Sequence, residues 1–498
     1  MLERKHVALS LFLFAAVVSL LAGAVLLVPA QQTGSLPRPP GMRLVTLPRA
    51  PGDKPQETSV AVNPRDPRNV IVSYHQAIGE GSDHHPGTRN DGHVAWSADG
   101  GKTWAVAPGT TEERYRKWFD ASVTFDLHGH AFVAYLAMDE VSDTAREGEF
   151  VRRSLDGGRT WEAPVTLIER PGGREPLMEH FPNIVTDNHA ASPYAGNVYE
   201  VWDRYLADGK SEEMVFVRST DDGKTWSQPR VISKHPSALG HTMAVGHDGA
   251  LYLMYELSRG VDWGDWEVML EVSRDGGQTF EAPLPVVRTS PKTCPGPPTG
   301  FPRAGGWPLM VIDPRGSPGR LFVVWGDCQN GDRDIFSTTS DDGGHTWTAP
   351  VRVNDDAKSN GKDQVMQFVA VDPTDGAAYV LFYDRRGDPK NLLPTVTLAR
   401  SIDGGRTFIN YAWSDRTSDP MQACLGDYIG LAAQDGRVYG AWPENVPTEQ
   451  KVPRKLPGSF KIADHVASDL DWPSGPTAIR IGIADFRTAA GAKRQGAR

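Results

Sequence analysis

One short motif, S-x-D-x-G-x-T-[WF], occurs six times in this chain and limits what it can fold into. The copies begin at Ser97, Ser154, Ser219, Ser273, Ser340 and Ser401, so the steps are 57, 65, 54, 67 and 61 residues. The fifth copy runs through Asp342, Gly344, Thr346 and Trp347, while the fourth and sixth end in Phe280 and Phe408. The chemistry is that of a turn. Short Ser and Asp side chains accept hydrogen bonds from backbone N–H groups a few residues on. Gly supplies positive φ, and the aromatic opens the next strand. An active centre is not needed six times, so these Asp boxes are scaffold.

A second repeat runs ahead of the boxes. Strands rich in β-branched and aromatic residues end at Tyr74, Tyr135, Trp202, Tyr255, Trp325, Tyr383 and Trp442. Each follows another short strand, such as SVAVNP, TMAVGHDG or FVAVDP. The unit is therefore strand, turn, strand, loop, strand, Asp box, strand. Four antiparallel strands repeated around a ring make a β-propeller. Seven strand pairs precede only six boxes. Thr477 to Ile483 supplies a third strand for the last blade, and Arg43 to Leu47 supplies its outer strand, closing the ring. The expected fold is all-β with seven four-stranded blades, six being the alternative.

Composition agrees with short strands and turns: 51 Gly, 39 Pro and 14 Trp in 498 residues. The formal charge of −10 argues against a nucleic-acid partner. Cys294, Cys328 and Cys424 have no metal-ligand spacing. They read as ordinary thiols, with one disulfide and one cysteine left over as the alternative. No cofactor motif is visible, and no loop carries calcium-ligand grammar, so neither cofactor nor metal is expected. At the N-terminus, Arg4 and Lys5 precede an uncharged run from Val7 to Val28. That length spans a bilayer, and the positive flank belongs in the cytoplasm. The expectation is a membrane anchor with the body outside the cytoplasm, or cleavage near Ala30 with release. The organisation is then an anchor or signal peptide over 1–30, a Pro-rich tether over 31–56, the propeller over 57–484 and a basic tail over 485–498.

Antiparallel connectivity puts the boxes on one face. The starts of the inner strands and the residues after the second strands lie on the other face, around the channel. That second group includes Asp203, Arg204, Glu256, Asp384, Arg385, His180, His241 and the sequence Gly426-Asp427-Tyr428. The polar loop of blade 1 adds Asp83 and Asp91, and blade 4 adds Trp263. Binding residues concentrate on loops of a rigid scaffold, and arginine presents a fixed donor fork to a carboxylate.

The Asp boxes and propeller strands over roughly residues 57 to 484 resemble the sialidase-like (BNR repeat) glycoside hydrolases. That resemblance implies an exo-α-sialidase type of enzyme acting on a glycan or glycoconjugate. Its pattern is a tyrosine nucleophile with a glutamate base, an aspartate acid and an arginine clamp on the substrate carboxylate. Carried onto this sequence, Tyr428 is the nucleophile, Glu256 its base, and Asp91 or Asp83 the acid. Arg204 and Arg385 form the clamp, with Asp203, Asp384, His180, His241 and Trp263 beside the substrate. The family's F-R-I-P segment is absent, its strand reading Glu57-Thr58-Ser59-Val60. Two alternatives are a non-catalytic glycan- or protein-binding propeller, and a lyase using His180 or His241 with Tyr428 as base and acid.

Overall fold

The computed structural model describes residues 35–79, 88–110, 114–140, 145–172, 178–206, 211–236, 238–258, 266–289, 301, 307–446 and 475–487. The chain divides into two compact units, Met1–Ser35 and Leu36–Arg498. The expected anchor over Val7 to Val28 lies outside the described residues. Among the described residues no helix is long and apolar enough to cross a membrane.

The second unit is a propeller of seven four-stranded sheets. Blade 1 consists of Lys54–Val62, Val70–Ile78, Arg89–Ser97 and Ala105–Val106, from the axis outward. The inner strands of blades 2 to 6 are Lys117–Phe125, Met178–Thr186, Ala238–Val245, Leu309–Asp313 and Gln364–Val371. Blade 7 is assembled from both ends of the unit. Gly430–Gln434, Arg437–Asn445 and Thr477–Asp485 are completed on the outside by Arg43–Thr46. The register pairs Arg43 with Ile483 and Thr46 with Arg480.

Second strands are sandwiched between neighbouring blades, so they bury both faces. Ala131–Met138 is buried at every position, which is why it reads as a continuous apolar run rather than an alternating one. The terminal aromatics Tyr135, Trp202, Tyr255, Trp325, Tyr383 and Trp442 are all buried.

The six box turns hold themselves together locally. In the fifth, the Ser340 hydroxyl donates to Asp342 Oδ1 at 2.8 Å and accepts from Gly344 N at 2.9 Å. Asp342 also accepts from Thr346 N at 2.9 Å and from the Thr346 hydroxyl at 2.5 Å. These donated bonds, the Thr346 hydroxyl's foremost, bring the Asp342 carboxyl down to about 2. The box glycine also fits one blade to the blade before it. A Cβ on Gly344 would sit 2.2 Å from Leu270 Cδ2 of blade 4, and one on Gly101 would sit 2.5 Å from Ile483 Cδ1 of blade 7. Close approach and positive φ both select glycine at this step.

Cys328 is disulfide-bonded, whereas Cys424 keeps its thiol. This corrects the reading of three ordinary thiols in favour of one bridge and one cysteine left over.

Candidate functional site

Five of the seven inner strands, those of blades 1, 2, 3, 4 and 6, carry the same irregularity at the same place. Their ladders slip by one residue between Gln56 and Ser59, Phe119 and Ser122, His180 and Asn183, Leu239 and Thr242, and Val365 and Phe368. Two residues of the inner strand thus oppose one of the second strand: Tyr74, Tyr135, Trp202, Tyr255 and Phe382 respectively. Each slip is a β-bulge wrapped around a buried aromatic. A bulge re-aims side chains that a regular pleat would alternate. The first bulged residue has positive φ in every case: Glu57 (55°), Asp120 (57°), Phe181 (26°), Gly240 (65°) and Met366 (54°). Four of the five are not glycine, a conformation costing about 1–3 kcal/mol at each position and characteristic of functional sites.

These bulges, with the stretch before the inner strand of blade 7, enclose an axial cavity of about 100 Å³. Its lining includes Asp120, Phe181, His241, Trp307, Asp427 and Tyr428, from five different blades. Below it the inner strands line a wider apolar channel of about 750 Å³, which reaches the turns at Pro64, Pro314 and Pro373.

Two proton-handling pairs meet at this cavity. Asp203, fully buried at the end of the second strand of blade 3, contacts two imidazoles with its two oxygens. Oδ1 meets His241 Nδ1, and Oδ2 lies 3.5 Å from His180 Nδ1. Burial works against ionisation, but the two histidines outweigh it and hold the Asp203 carboxyl below its ordinary range. His241 is fully buried, and its Nε2 has no hydrogen-bond partner among the described residues. Phe181 packs on the His241 ring at 4.7 Å and on Trp307 at 5.7 Å, forming an aromatic wall.

The second pair is Tyr428 and Asp120, whose Oδ1 accepts from the tyrosine hydroxyl at 3.2 Å. Burial, then the charges of Asp120 and Glu57, push the phenol well above its usual range. Glu57 in turn accepts from Asp427 N at 3.2 Å and lies 3.5 Å from His75 Nδ1.

The structure brings three of the expected residues, Asp203, His180 and His241, into one cluster, and places Tyr428 on the same cavity as His241. It separates the others. Glu256 is not the residue at the Tyr428 hydroxyl. It accepts from Thr289 at 3.2 Å, and burial raises its carboxyl to about 8. Arg204 donates to Glu179 at 2.8 Å and meets Glu213 at 3.6 Å, because the fully buried Glu179 requires a countercharge. Arg385 is itself fully buried, 3.7 Å from Asp363 and over the Phe301 ring, and burial lowers its guanidinium to about 10. Asp384 pairs with Arg386 at 2.6 Å and Asp91 with Arg89 at 2.5 Å. Asp83 and Trp263 lie outside the described residues. Burial and the carboxylates around Tyr428 disfavour its phenolate. Asp120, Glu57, Phe181 and Trp307 were missed. The available signal was a charged residue inside an apolar strand, as in Trp118-Phe119-Asp120-Ala121.

No family profile matches the chain, and no curated protein matches it. Solved structures do. A protein of unknown function from Dyadobacter fermentans is 14% identical with a TM-score of 0.48, covering 89% of this chain and 99% of that one. The Hadza microbial sialidase Hz136 is 16% identical with a TM-score of 0.46, covering 80% and 73%. A polysaccharide lyase of family PL25, an ulvan lyase, is 13% identical with a TM-score of 0.44, covering 84% and 98%. None of these likenesses bears on what this chain does; the chemistry rests on its own cavity.

Proposed function

We propose that this chain is a glycan-processing enzyme, a glycoside hydrolase whose centre is the axial cavity. One observation carries the reading. His241 and Tyr428 line the same cavity, and each is in contact with its own carboxylate, Asp203 and Asp120 respectively. Reactive groups held together on a rigid frame are what bond cleavage requires.

Tyr428 Oη attacks the anomeric carbon, and its proton passes to Asp120. The phenol is held protonated at rest, so this transfer has to accompany attack. The bond to the leaving oxygen breaks as His241 Nε2 donates its proton. Water then attacks the glycosyl–tyrosine intermediate, giving a proton to His241. The phenolate leaves and recovers its proton from Asp120. Asp203 contacts the ring at Nδ1 and leaves Nε2 as the nitrogen that exchanges the proton, a division of labour familiar from His–Asp pairs.

The exo-α-sialidase form of this reading needs a cationic clamp, and among the described residues no arginine or lysine lines the cavity. We therefore favour hydrolysis without that clamp. A second reading, elimination with His241 as base and Tyr428 as acid, is favoured by the strongly protonated phenol. Export is part of the proposal, supported by the N-terminal apolar run and by the Cys328 disulfide, a feature of oxidising compartments.

The test is a panel of fluorogenic neutral, amino and sialic glycosides, run beside a uronate polysaccharide monitored for unsaturated product. Turnover lost on Tyr428→Phe, with binding retained, supports hydrolysis. Unsaturated product supports elimination. Saturable binding without turnover on any substrate would make the protein a glycan-binding propeller and overturn the proposal.

A further inference from the structure

The Tyr428–Asp120 pair joins two distant stretches of chain, and blade 1 stands between them. Tyr428 precedes the inner strand of blade 7, and Asp120 lies in the inner strand of blade 2. The inner strand of blade 1 packs against both of those strands. Glu57 occupies the same bulge step in blade 1 that Asp120 occupies in blade 2, and it is buried with a φ of 55°. Its Oε1 accepts from Asp427 N, one residue before Tyr428, at 3.2 Å. The two segments meet closely. A Cβ on Gly426 would sit 2.5 Å from Glu57 Cγ and 3.1 Å from Glu57 N, and Gly426 has a φ of +73°. Left-handed residues on both sides of one contact are a costly arrangement that the surrounding structure has to maintain.

Glu57 is also approached from behind. Its Oε2 lies 3.5 Å from Nδ1 of His75, a fully buried ring that faces Gln56 across the ladder. Gln56 Nε2 lies 3.0 Å from His75 Nε2. An amide nitrogen only donates, so the neutral ring accepts at Nε2 and carries its proton on Nδ1, the atom that faces Glu57. The same ring meets the Phe119 ring edge-on at 5.3 Å, and Phe119 directly precedes Asp120. One buried imidazole therefore lies against the neighbour of Asp120 and against the side chain that holds the neighbour of Tyr428.

We propose that Glu57 is a positioning residue for the Tyr428–Asp120 pair: through the Asp427 amide it fixes how the phenol approaches its proton acceptor. This rests on the hydrolase reading above and adds the residue that aligns its nucleophile. Glu57 acts through a backbone amide rather than at the sugar, so its loss should be felt in kcat and not in KM.

Two variants of the full-length protein test this. Glu57→Gly removes the arm yet suits the positive φ, so the fold should stand. Glu57→Gln keeps an oxygen that accepts from the Asp427 amide. The first readout needs no substrate. In protein labelled with carbon-13 at tyrosine Cζ, the Tyr428 resonance is the one missing from Tyr428→Phe. It should move in Glu57→Gly and stay close to its place in Glu57→Gln at neutral pH. Burial, then the charges of Asp120 and Glu57, hold the phenol protonated, so in Glu57→Gln the resonance should titrate at lower pH than in wild type. The second readout is turnover of the fluorogenic glycoside that the wild-type protein cleaves. Glu57→Gly should lower kcat by about a hundredfold, the scale of a small misplacement, with KM within about threefold. Glu57→Gln should recover most of that loss. An unmoved Tyr428 resonance in Glu57→Gly overturns the inference, as does wild-type kcat in that variant. Should Glu57→Gly fail to fold, an unchanged titration in Glu57→Gln overturns it instead. A moved resonance in a protein that cleaves no glycoside would uphold the positioning role and sink the hydrolase reading, whereas Tyr428-dependent cleavage indifferent to Glu57 would do the reverse.

Discussion

The ring closure makes a quantitative demand on one side chain, Leu47. Outer strands of a propeller face solvent, and Ile409 in the outer strand of blade 6 is 54% exposed. Leu47, just past the outer strand of blade 7, is 3% exposed. It sits in one core cluster with Ile479, Ile481 and Ile483 of blade 7 and with Val60, Val70 and Val72 of blade 1. Its amide also donates to Ile479 O at 3.0 Å. The N-terminal segment reaches further on both sides. Ala412 N of blade 6 donates to Pro37 O at 2.9 Å, and Arg43 Nη2 donates to Gly100 O in the first Asp box at 2.8 Å. Truncating a fully buried leucine to alanine costs about 2–5 kcal/mol, depending on how far the site collapses. A site at the rim of the sheet relaxes more than one at its centre, so Leu47→Ala should cost about 3 kcal/mol. Ile409→Ala, exposed on an equivalent strand, should cost about 0.5 kcal/mol or less. Guanidinium titration followed by tryptophan fluorescence reports the difference, since Trp413 and Trp442 stand 5.7 Å apart beside the closure. Three kcal/mol corresponds to about a hundredfold in the folding equilibrium, well outside the error of such titrations. Equal midpoints for the two variants would mean that the strand is a loose edge, and the clasp argument would fail.

Asp203→Asn should lower kcat by about a hundredfold or more, the usual worth of an oriented acid–base group, with little change in ligand affinity. Unchanged turnover would remove His241 from the mechanism. Gly344→Ala meets both a backbone angle of +94° and Leu270 at 2.2 Å, whereas Gly343→Ala meets a positive angle of +73° but nothing nearer than the Tyr252 hydroxyl at 3.4 Å. Thermal denaturation should show the Gly344 variant as the less stable by about 1 kcal/mol or more, and the reverse order would contradict the account of blade packing. Glu256 has a folded-state pKa of about 8, raised by burial. Its protonated form is the one the fold accepts, so its contribution is present below the unfolded value of about 4.3 and lost as pH rises towards 8. Glu256→Gln should therefore stabilise the protein at pH 8 relative to wild type and change little near pH 4, as read from denaturation midpoints. A gain confined to acid pH would reverse the assignment.

The propeller was legible in the sequence because its signals are local. The hydrogen bonds among the Ser, Asp, Gly and Thr of an Asp box close within a few residues, as from Ser340 to Trp347, so the six motifs declare themselves without knowledge of the fold. The second strands are equally plain, since burial of both faces demands an unbroken apolar run. Even the closing strand at Arg43–Thr46 followed from counting strands against boxes.

The site was legible only in part. The end of the second strand led to Asp203, and the start of the inner strand led to His180 and His241, because strand alternation and connectivity assign those positions to one face. Which charged residues meet is a tertiary matter. Tyr428 and Asp120 are 308 residues apart in the chain and touch because the ring closes. The β-bulges decide the rest. A one-residue slip re-aims Asp120, Phe181 and His241 towards the axis, and nothing in a regular two-residue alternation announces it. Arginine was assigned to the substrate on residue type alone. Its destination was set instead by buried carboxylates such as Glu179, which need a countercharge wherever the packed blades place them.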